Sequence, residues 1–362
     1  MKRSVQITKE QIETPALLID LDILERNILN MANFMKDKKA KLQPIFKTYK
    51  CPVISHKQIS AGAKGITCAK LGEAEVLVAA GIKDVLIANQ VVETSKIFRL
   101  ASLATGDAKL TVAVDNIENI MALSEAVSTV GSTLHVLIEI DVGMKRCGVN
   151  TQEEVLALAR KIGEYKGLVF EGFQAYEGHL QYNRDADARR QGVREMEKKV
   201  GGIKNFLKQH GISVKEISGA GTGTYNITAD NTIWTEIQAG SYIFLDNVYN
   251  KISLDFTNSL TVLATVIHKR PGYAVTDAGL KACSVEQGLP DIKGYSDLKI
   301  FRNLSEEHAT IVDQKDELEF LQKIEYIPSH CCTTVNLHDS YYCVRNGLLE
   351  SVWPISGRGK IR

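Results

Sequence analysis

The sequence has little that would carry it into a membrane or tie it to a charged polymer. Lys and Arg total 44 against 43 Asp and Glu, a formal charge of +1. No acidic or basic field therefore points to nucleic acid or to a membrane surface. No run approaches the ~18 uninterrupted apolar residues of a transmembrane helix. The stretch from Met1 to Glu13 is polar and carries no apolar signal core. The seven cysteines are odd in number and scattered, without disulfide-framework spacing. That fits a reducing cytoplasm, and a cytoplasmic protein is expected. Low-complexity tracts and short repeats are absent. So is the Gly-x-Gly-x-x-Gly fingerprint of a dinucleotide-binding sheet. No second Cys/His cluster stands at the spacing of a closed, four-ligand structural zinc site.

What is present is an ordinary globular composition, 44% hydrophobic and 24% charged over 362 residues. That length supports a large core and two domains. The first two-thirds alternates β-rich runs with amphipathic stretches. Strands end near Lys47, Cys68, Ala88, Val114, Asp141, Tyr176, Ser218 and Ala239. Helical spacing of apolar residues marks Asp22 to Lys36, Leu71 to Ala80, Asn116 to Val127, Gln152 to Tyr165 and Arg189 to His210. Eight such strands are the count of a TIM (β/α)8 barrel, with a doubly wound open sheet as runner-up. After about Asn247 the pattern turns to strands: Ser259 to His268, Tyr273 to Asp277, Ala309 to Val312, Gln322 to Pro328 and Tyr341 to Arg345. The expected architecture is an α/β barrel over residues 14–247. A mostly β C-terminal domain follows over residues 248–362, joined by residues 1–13.

A barrel builds its active site at the C-terminal ends of its strands. Lys47 stands at such an end, in Lys47-Thr48-Tyr49-Lys50-Cys51-Pro52. A lysine desolvated there can act as a Schiff-base amine. The apolar fifth strand delivers Arg146 among turn residues, where a guanidinium can hold a phenolate or carboxylate. The seventh ends Ser218-Gly219-Ala220-Gly221-Thr222-Gly223-Thr224-Tyr225, and the eighth ends Gln238-Ala239-Gly240-Ser241-Tyr242. Glycines with hydroxyls let backbone N–H groups converge on an anion, and loops after strands seven and eight are the usual barrel phosphate site.

In the C-terminal domain, Ser329-His330-Cys331-Cys332-Thr333-Thr334-Val335-Asn336-Leu337-His338-Asp339 reads as strand, because Val335 and Leu337 alternate with polar residues. On a strand His330 and Cys332 project together. An imidazole and a thiolate suit zinc, and two ligands leave open positions, a catalytic arrangement. Read without context, a vicinal cysteine pair beside a histidine is a buried structural feature. Lysine, phosphate cradle, arginine and metal pair together point to pyridoxal phosphate (PLP).

The chain resembles the D-serine dehydratase and D-threonine aldolase family, whose barrel is similar to that of alanine racemase, the type III PLP fold. The resemblance runs nearly end to end. It is carried by TPALLIDLD, FKTYKCP, GITCAKLGEAEVLVAAGI, VLIEIDVGMKRCGV, GFQAYEGH, SGAGTGTY, EIQAGSYIFLD, DAGLKACSVEQGLP, LSEEH and PSHCCTTVNLHD. It implies that Lys47 carries the cofactor and that Arg146 lies near its phenolic oxygen. Gln174 and Tyr176 would flank the ring. Thr222, Gly223 and Thr224, with Gly240, Ser241 and Tyr242, would bind the phosphate. His330 and Cys332 would hold a divalent metal. By the same resemblance the partner is a small D-amino acid, and the chain is a homodimer. The family's Arg-Pro-His is here Gln43-Pro44-Ile45, and its Thr-His-Lys is Thr48-Tyr49-Lys50. Two hydrogen-bonding groups are thus missing near Lys47.

A metal on His330 and Cys332 would bind a substrate's β-hydroxyl. It could turn the hydroxyl into a leaving group, giving β-elimination to a keto acid and ammonia. It could instead promote retro-aldol cleavage to glycine and an aldehyde, with His179 as base on the hydroxyl. By family analogy a cysteine at position 332 leans toward zinc over manganese and toward dehydration of D-serine or D-3-hydroxyaspartate. The aldolase is the alternative. An amino acid racemase would share the barrel and Lys47 but need no metal. A non-enzymatic PLP carrier would lack the β domain.

Overall fold

The computed structural model describes residues 6–252 and 254–362. Its contacts divide the chain into two units. One comprises Ala32–Lys47, Ile54–Gly240 and Gly359–Arg362; the other comprises Met1–Met31, Thr48–Val53 and Ser241–Arg358.

The barrel unit is built on eight parallel strands. From Lys41–Leu42 the sheet order runs through Glu236–Ile237, Glu216–Gly219, Leu168–Ala175, Leu134–Glu139, Lys109–Val114 and Asp84–Ile87 to Ile66–Cys68. A parallel bridge between Ile45 and Thr67, with Thr67 N donating to Pro44 O at 3.0 Å, joins the two ends and closes the TIM barrel. The first strand is shorter than its apolar run because Pro44 has no N–H for the ladder. The chain then tightens into a 3-10 turn over Phe46–Thr48.

Apolar runs such as Val136-Leu137-Ile138 are fully buried, as strands covered on both faces must be. The helices between strands start on side-chain caps. Asn116 Oδ1 accepts from Asn119 N, Thr151 and Glu154 form a capping box, and Asp185 Oδ1 accepts from Asp187 N and Ala188 N. One glycine is dictated by strand approach: a Cβ on Gly172 would lie 1.8 Å from Glu216 O. At the N-terminal ends of the strands Lys64 and Lys109 meet Glu216 at 2.9 and 3.0 Å, and Lys64 also pairs with buried Glu236. This ion cluster occupies the barrel face away from the strand C-termini.

The sheet unit centres on Leu260–Arg270. That strand pairs antiparallel with Ala16–Asp20, Gly272–Thr276 and Lys323–Ile327. Ala16–Asp20 also pairs, parallel, with Ser340–Arg345, which continues antiparallel to Leu348–Pro354. Ala309–Asp313, with Lys299–Ile300 beyond it, extends the other side. Ile12, Ala16, Leu18, Leu263 and Val344 pack as one cluster against Tyr342 and Leu349. The sequence places residues 14–247 in the barrel domain, whereas the contacts group residues 6–31 with the sheet. Ala-Leu-Leu-Ile at 16–19 is apolar enough for either sheet, and its pairing partners lie beyond residue 259. Among the described residues no helix is long and apolar enough to cross a membrane.

Candidate active site

The C-terminal ends of the barrel strands gather polar side chains at one level. Glu139, Gln174 and Ser218 are register partners on the fifth, sixth and seventh strands. Gln238 follows the eighth strand and donates from Nε2 to Gln174 Oε1 at 2.7 Å and to Ser218 Oγ at 2.8 Å. Gln174 and Gln238 are only 2% and 3% exposed. Among the described residues Gln174 Nε2 donates to nothing and Gln238 Oε1 accepts from nothing. One amide donor and one amide acceptor left over at this level fit a heteroaromatic ring carrying its own polar edge. Lys47 sits half-buried in the 3-10 turn after the first strand.

Arg146 rides on a loop folded by Asp141, whose Oδ1 accepts from Gly143 N at 2.9 Å and Lys145 N at 3.1 Å. Lys145 takes a left-handed φ of 52°. The guanidinium is half exposed, 3.9 Å from Glu139 Oε1, and stands 5.9 Å over the Tyr176 ring. Burial holds the Glu139 carboxyl above the usual carboxylate range; the Gln90 amide, bonded at 2.6 Å, and Arg146 pull it back. His179 is exposed on the turn Gly178–Leu180 with its ring against Gly143, where a Cβ would come within 2.9 Å of Cε1.

The loop after the seventh strand is organised differently from the sequence expectation. The N–H groups of Gly221 and Gly223 do not converge on an open side. Gly223 N donates to Gln181 Oε1 at 2.8 Å, and Gly221 N to Thr224 Oγ1 at 3.2 Å. A Cβ on Gly223 would lie 2.1 Å from Gln181 O, so this glycine is required by the close approach of the 177–181 turn. Thr222 and Thr224 are buried. Gly240 ends the barrel unit; Ser241 and Tyr242 open the sheet unit as a buried 3-10 turn.

In the sheet unit the segment around His330 is not a strand. Cys331–Val335 is a short helix, with His330 before it in extended backbone at φ −142° and ψ 124°. Two bonds enforce the helical turn on a β-prone Cys-Cys-Thr-Thr-Val run. Cys331 N donates to the buried Asp246 Oδ2 at 3.0 Å, and Thr334 Oγ1 donates to His330 O at 3.0 Å. His330 and Cys332 still meet, because the extended residue turns its ring back against the first helical turn, where Cys332 hydrogen-bonds it. Glu286 bonds His330 Nδ1, which turns Nε2 into the ring's donor for a metal. Burial opposes a charged ring, but Cys332, Asp246 and Glu286 push His330 up to about 9. Imidazole and sulfur form a donor pair that fits a divalent cation. Among the described residues no third His, Cys, Asp or Glu joins the pair, so a bound cation would keep positions open. Cys332 Sγ also lies 3.4 Å from Thr48 Oγ1.

A closed parallel barrel with a lysine at the end of its first strand, followed by a β domain, is the type III fold of PLP enzymes. The alanine racemase N-terminal domain family matches residues 19–248, and the putative serine dehydratase domain family matches residues 259–344. The chain belongs to the PLP-dependent D-amino acid lyase family that joins these two domains. The 3-hydroxy-D-aspartate aldolase of Paracoccus denitrificans (strain Pd 1222) is 39% identical, over 97% of this chain and 94% of that one. The D-threonine aldolase of Arthrobacter sp. is 38% identical, over 96% and 93%. The D-threo-3-hydroxyaspartate dehydratase of Delftia sp. (strain HT23) is 29% identical, over 91% and 93%. Among solved structures, D-threonine aldolase from Filomicrobium marinum superposes with a TM-score of 0.95 at 36% identity, over 99% of both chains. The Delftia dehydratase gives 0.89 at 26%, over 96% of this chain and 99% of that one. A variant of a D-threo-3-hydroxyaspartate dehydratase has been solved in a metal-free form.

Sequence reasoning passed over Glu139, Glu177, Gln181, Gln238, Asp246 and Glu286. Two of these carried a signal: Glu139 is the single charge inside Val-Leu-Ile-Glu-Ile, and Asp246 follows Tyr-Ile-Phe-Leu. A carboxylate in an apolar run is buried and bonded.

Proposed function

We propose that the protein is a PLP- and divalent metal-dependent lyase that cleaves the Cα–Cβ bond of D-3-hydroxy amino acids, releasing glycine and an aldehyde. The His330–Cys332 donor pair carries this reading, because a racemase has no use for a cation at the β-oxygen. Cleavage is preferred to dehydration because the two aldolases share more of this sequence than the dehydratase does.

When bound, pyridoxal phosphate draws electron density from the bonds at the substrate's Cα, and the cation lowers the pKa of the β-hydroxyl. Lys47 is the amine that carries the cofactor. Arg146, backed by Glu139, would donate to its phenolic oxygen. Tyr176, Gln174 and Gln238 would hold its ring, and Thr222–Thr224 with Gly240, Ser241 and Tyr242 would hold its phosphate. His330 Nε2 and Cys332 Sγ hold the cation, and Glu286 fixes the imidazole. His179 takes the β-hydroxyl proton. After the bond breaks, Lys47 Nζ delivers a proton to Cα, which completes glycine.

The thiolate at Cys332 favours a second reading, dehydration on zinc. In that case Lys47 would take the α-proton, the hydroxyl would leave with a proton as water, and the released enamine would tautomerise to an imine that water hydrolyses to a keto acid and ammonia. The test is to load the purified protein with PLP and, separately, zinc or manganese, and to supply D-threonine, D-serine and D-3-hydroxyaspartate. Glycine with an aldehyde supports cleavage; ammonia with a keto acid replaces it with dehydration; racemised substrate alone refutes both. We further propose a homodimer, which light scattering of the purified chain checks.

A further inference from the structure

The barrel unit buries a carboxylate that this chemistry leaves unused. Glu177 is 0% exposed beneath the loop that follows the seventh strand. Its Oε2 accepts from Ala220 N at 3.2 Å. Its Oε1 accepts from Gln181 Nε2 at 3.3 Å and is bonded to Thr224 Oγ1. Gln181 finishes the bracket, accepting from Gly223 N at 2.8 Å and donating to Thr224 Oγ1 at 3.0 Å. The shape of the loop from Ala220 to Thr224 is thus set by two side chains of the neighbouring turn.

Every group bonding Glu177 is neutral: the Ala220 amide, the Gln181 amide, the Thr224 hydroxyl and its own backbone N–H. The loop itself, Ala220 to Thr224, holds no titratable side chain. On the carboxylate's own turn His179 is exposed, and among the described residues no lysine, arginine or histidine pairs with Glu177. Burial pushes the Glu177 carboxyl up, and these donors pull it back part of the way. A group so balanced responds to a charge placed nearby.

On the reading that this loop takes the cofactor's phosphate, a dianion arrives against the same backbone. We propose that Glu177 is the positioning residue of the phosphate loop and takes up one proton from solvent when the phosphate binds, holding the loop as a neutral acid. The two like charges would otherwise repel across a water-poor interior. The neutral acid keeps the bond from Ala220 N on Oε2 and reverses the Thr224 bond, donating from Oε1 to Thr224 Oγ1 in place of one of the two donors, Gly221 N and Gln181 Nε2, that this oxygen now accepts from. That frees the threonine's own hydroxyl proton for another acceptor.

The experiment is calorimetric titration of pyridoxine 5′-phosphate, which lacks the aldehyde and cannot react with Lys47, into the cofactor-free full chain. It is run in two buffers of different protonation enthalpy at about pH 8, where the phosphate is already a dianion. The wild type should take up a proton on binding, and its Kd should rise with pH by up to about tenfold per unit. Glu177→Gln, the shape of the neutral acid, should bind without uptake and with a flatter pH profile. Thr224→Ser, which keeps the hydroxyl, should keep the uptake. Binding without uptake in the wild type overturns the inference even if no variant folds, and so does equal uptake in Glu177→Gln. If neither pyridoxine 5′-phosphate nor pyridoxal phosphate binds, the cofactor reading itself fails and takes this inference with it.

Discussion

Adjacent cysteines with opposite surroundings allow a two-way test of the metal pair. Cys332 is partly exposed and hydrogen-bonds His330; Cys331 is fully buried, with its thiol pushed far above the usual thiol range by burial. Replacing Cys332 by alanine removes one of two protein donors. Loss of even an outer partner of a metal ligand costs about 10–100-fold in affinity, so loss of the sulfur should cost at least ~100-fold. Its stability cost should stay within about 0.5 kcal/mol, as for a surface change. Cys331→Ala deletes one packed heavy atom and leaves a small cavity, worth about 1 kcal/mol, while the backbone bond to Asp246 survives. Metal content after gel filtration and urea unfolding, measured on both variants, should show the two effects on different proteins. A metal loss in Cys331→Ala equal to that in Cys332→Ala would refute the assignment of the helical turn.

Other outcomes follow from the same geometry. Lys47→Ala should lose the long-wavelength absorbance of lysine-bound cofactor; retention of the band would move that role to another lysine. Glu286→Ala should weaken metal binding about 10–100-fold by releasing the His330 ring, and unchanged metal titrations would show that the contact is idle. Gly172→Ala forces a Cβ into Glu216 O and should cost about 3 kcal/mol, and an unfolding midpoint within ~0.5 kcal/mol of wild type would contradict the strand spacing. Burial opposes the charge on Glu325, yet Lys293 at 2.8 Å and Lys9 at 2.6 Å hold its carboxyl at about 2 against an ordinary 4.5. Its stabilisation is present above pH ~4.5 and fades as pH falls toward ~2, so Glu325→Gln should flatten acid unfolding in that window; identical profiles would reject the pairing.

The barrel was legible because its strands are short apolar runs and its helices keep a 3.6-residue period. Leu71–Ala79 and Gln152–Gly163 begin where the pattern begins. Closure could be counted but not seen: it rests on one bridge at Ile45, across a proline. His330 and Cys332 were paired for a reason that the structure replaces. Residues two apart on a helix point to different sides, and His330 meets Cys332 only because it stands outside the helix that Cys332 belongs to. Asp246, the residue that starts that helix, lies 85 positions away, and no local pattern could reveal it. The loop proposed for the phosphate was singled out by its glycines, yet these answer to Gln181, whose role needs the turn after the sixth strand to be in place.

The strand at residues 16–20 has a bearing on how the protein is made. It leaves the ribosome long before its neighbours around Val262 and Tyr341. Throughout synthesis of the barrel a sticky Ala-Leu-Leu-Ile stretch waits without its lattice, a long-range pairing of the kind that slows folding and invites association. Ending the chain at residue 240 would leave that stretch without its pairing partners, so an isolated barrel should be a poor starting point for engineering.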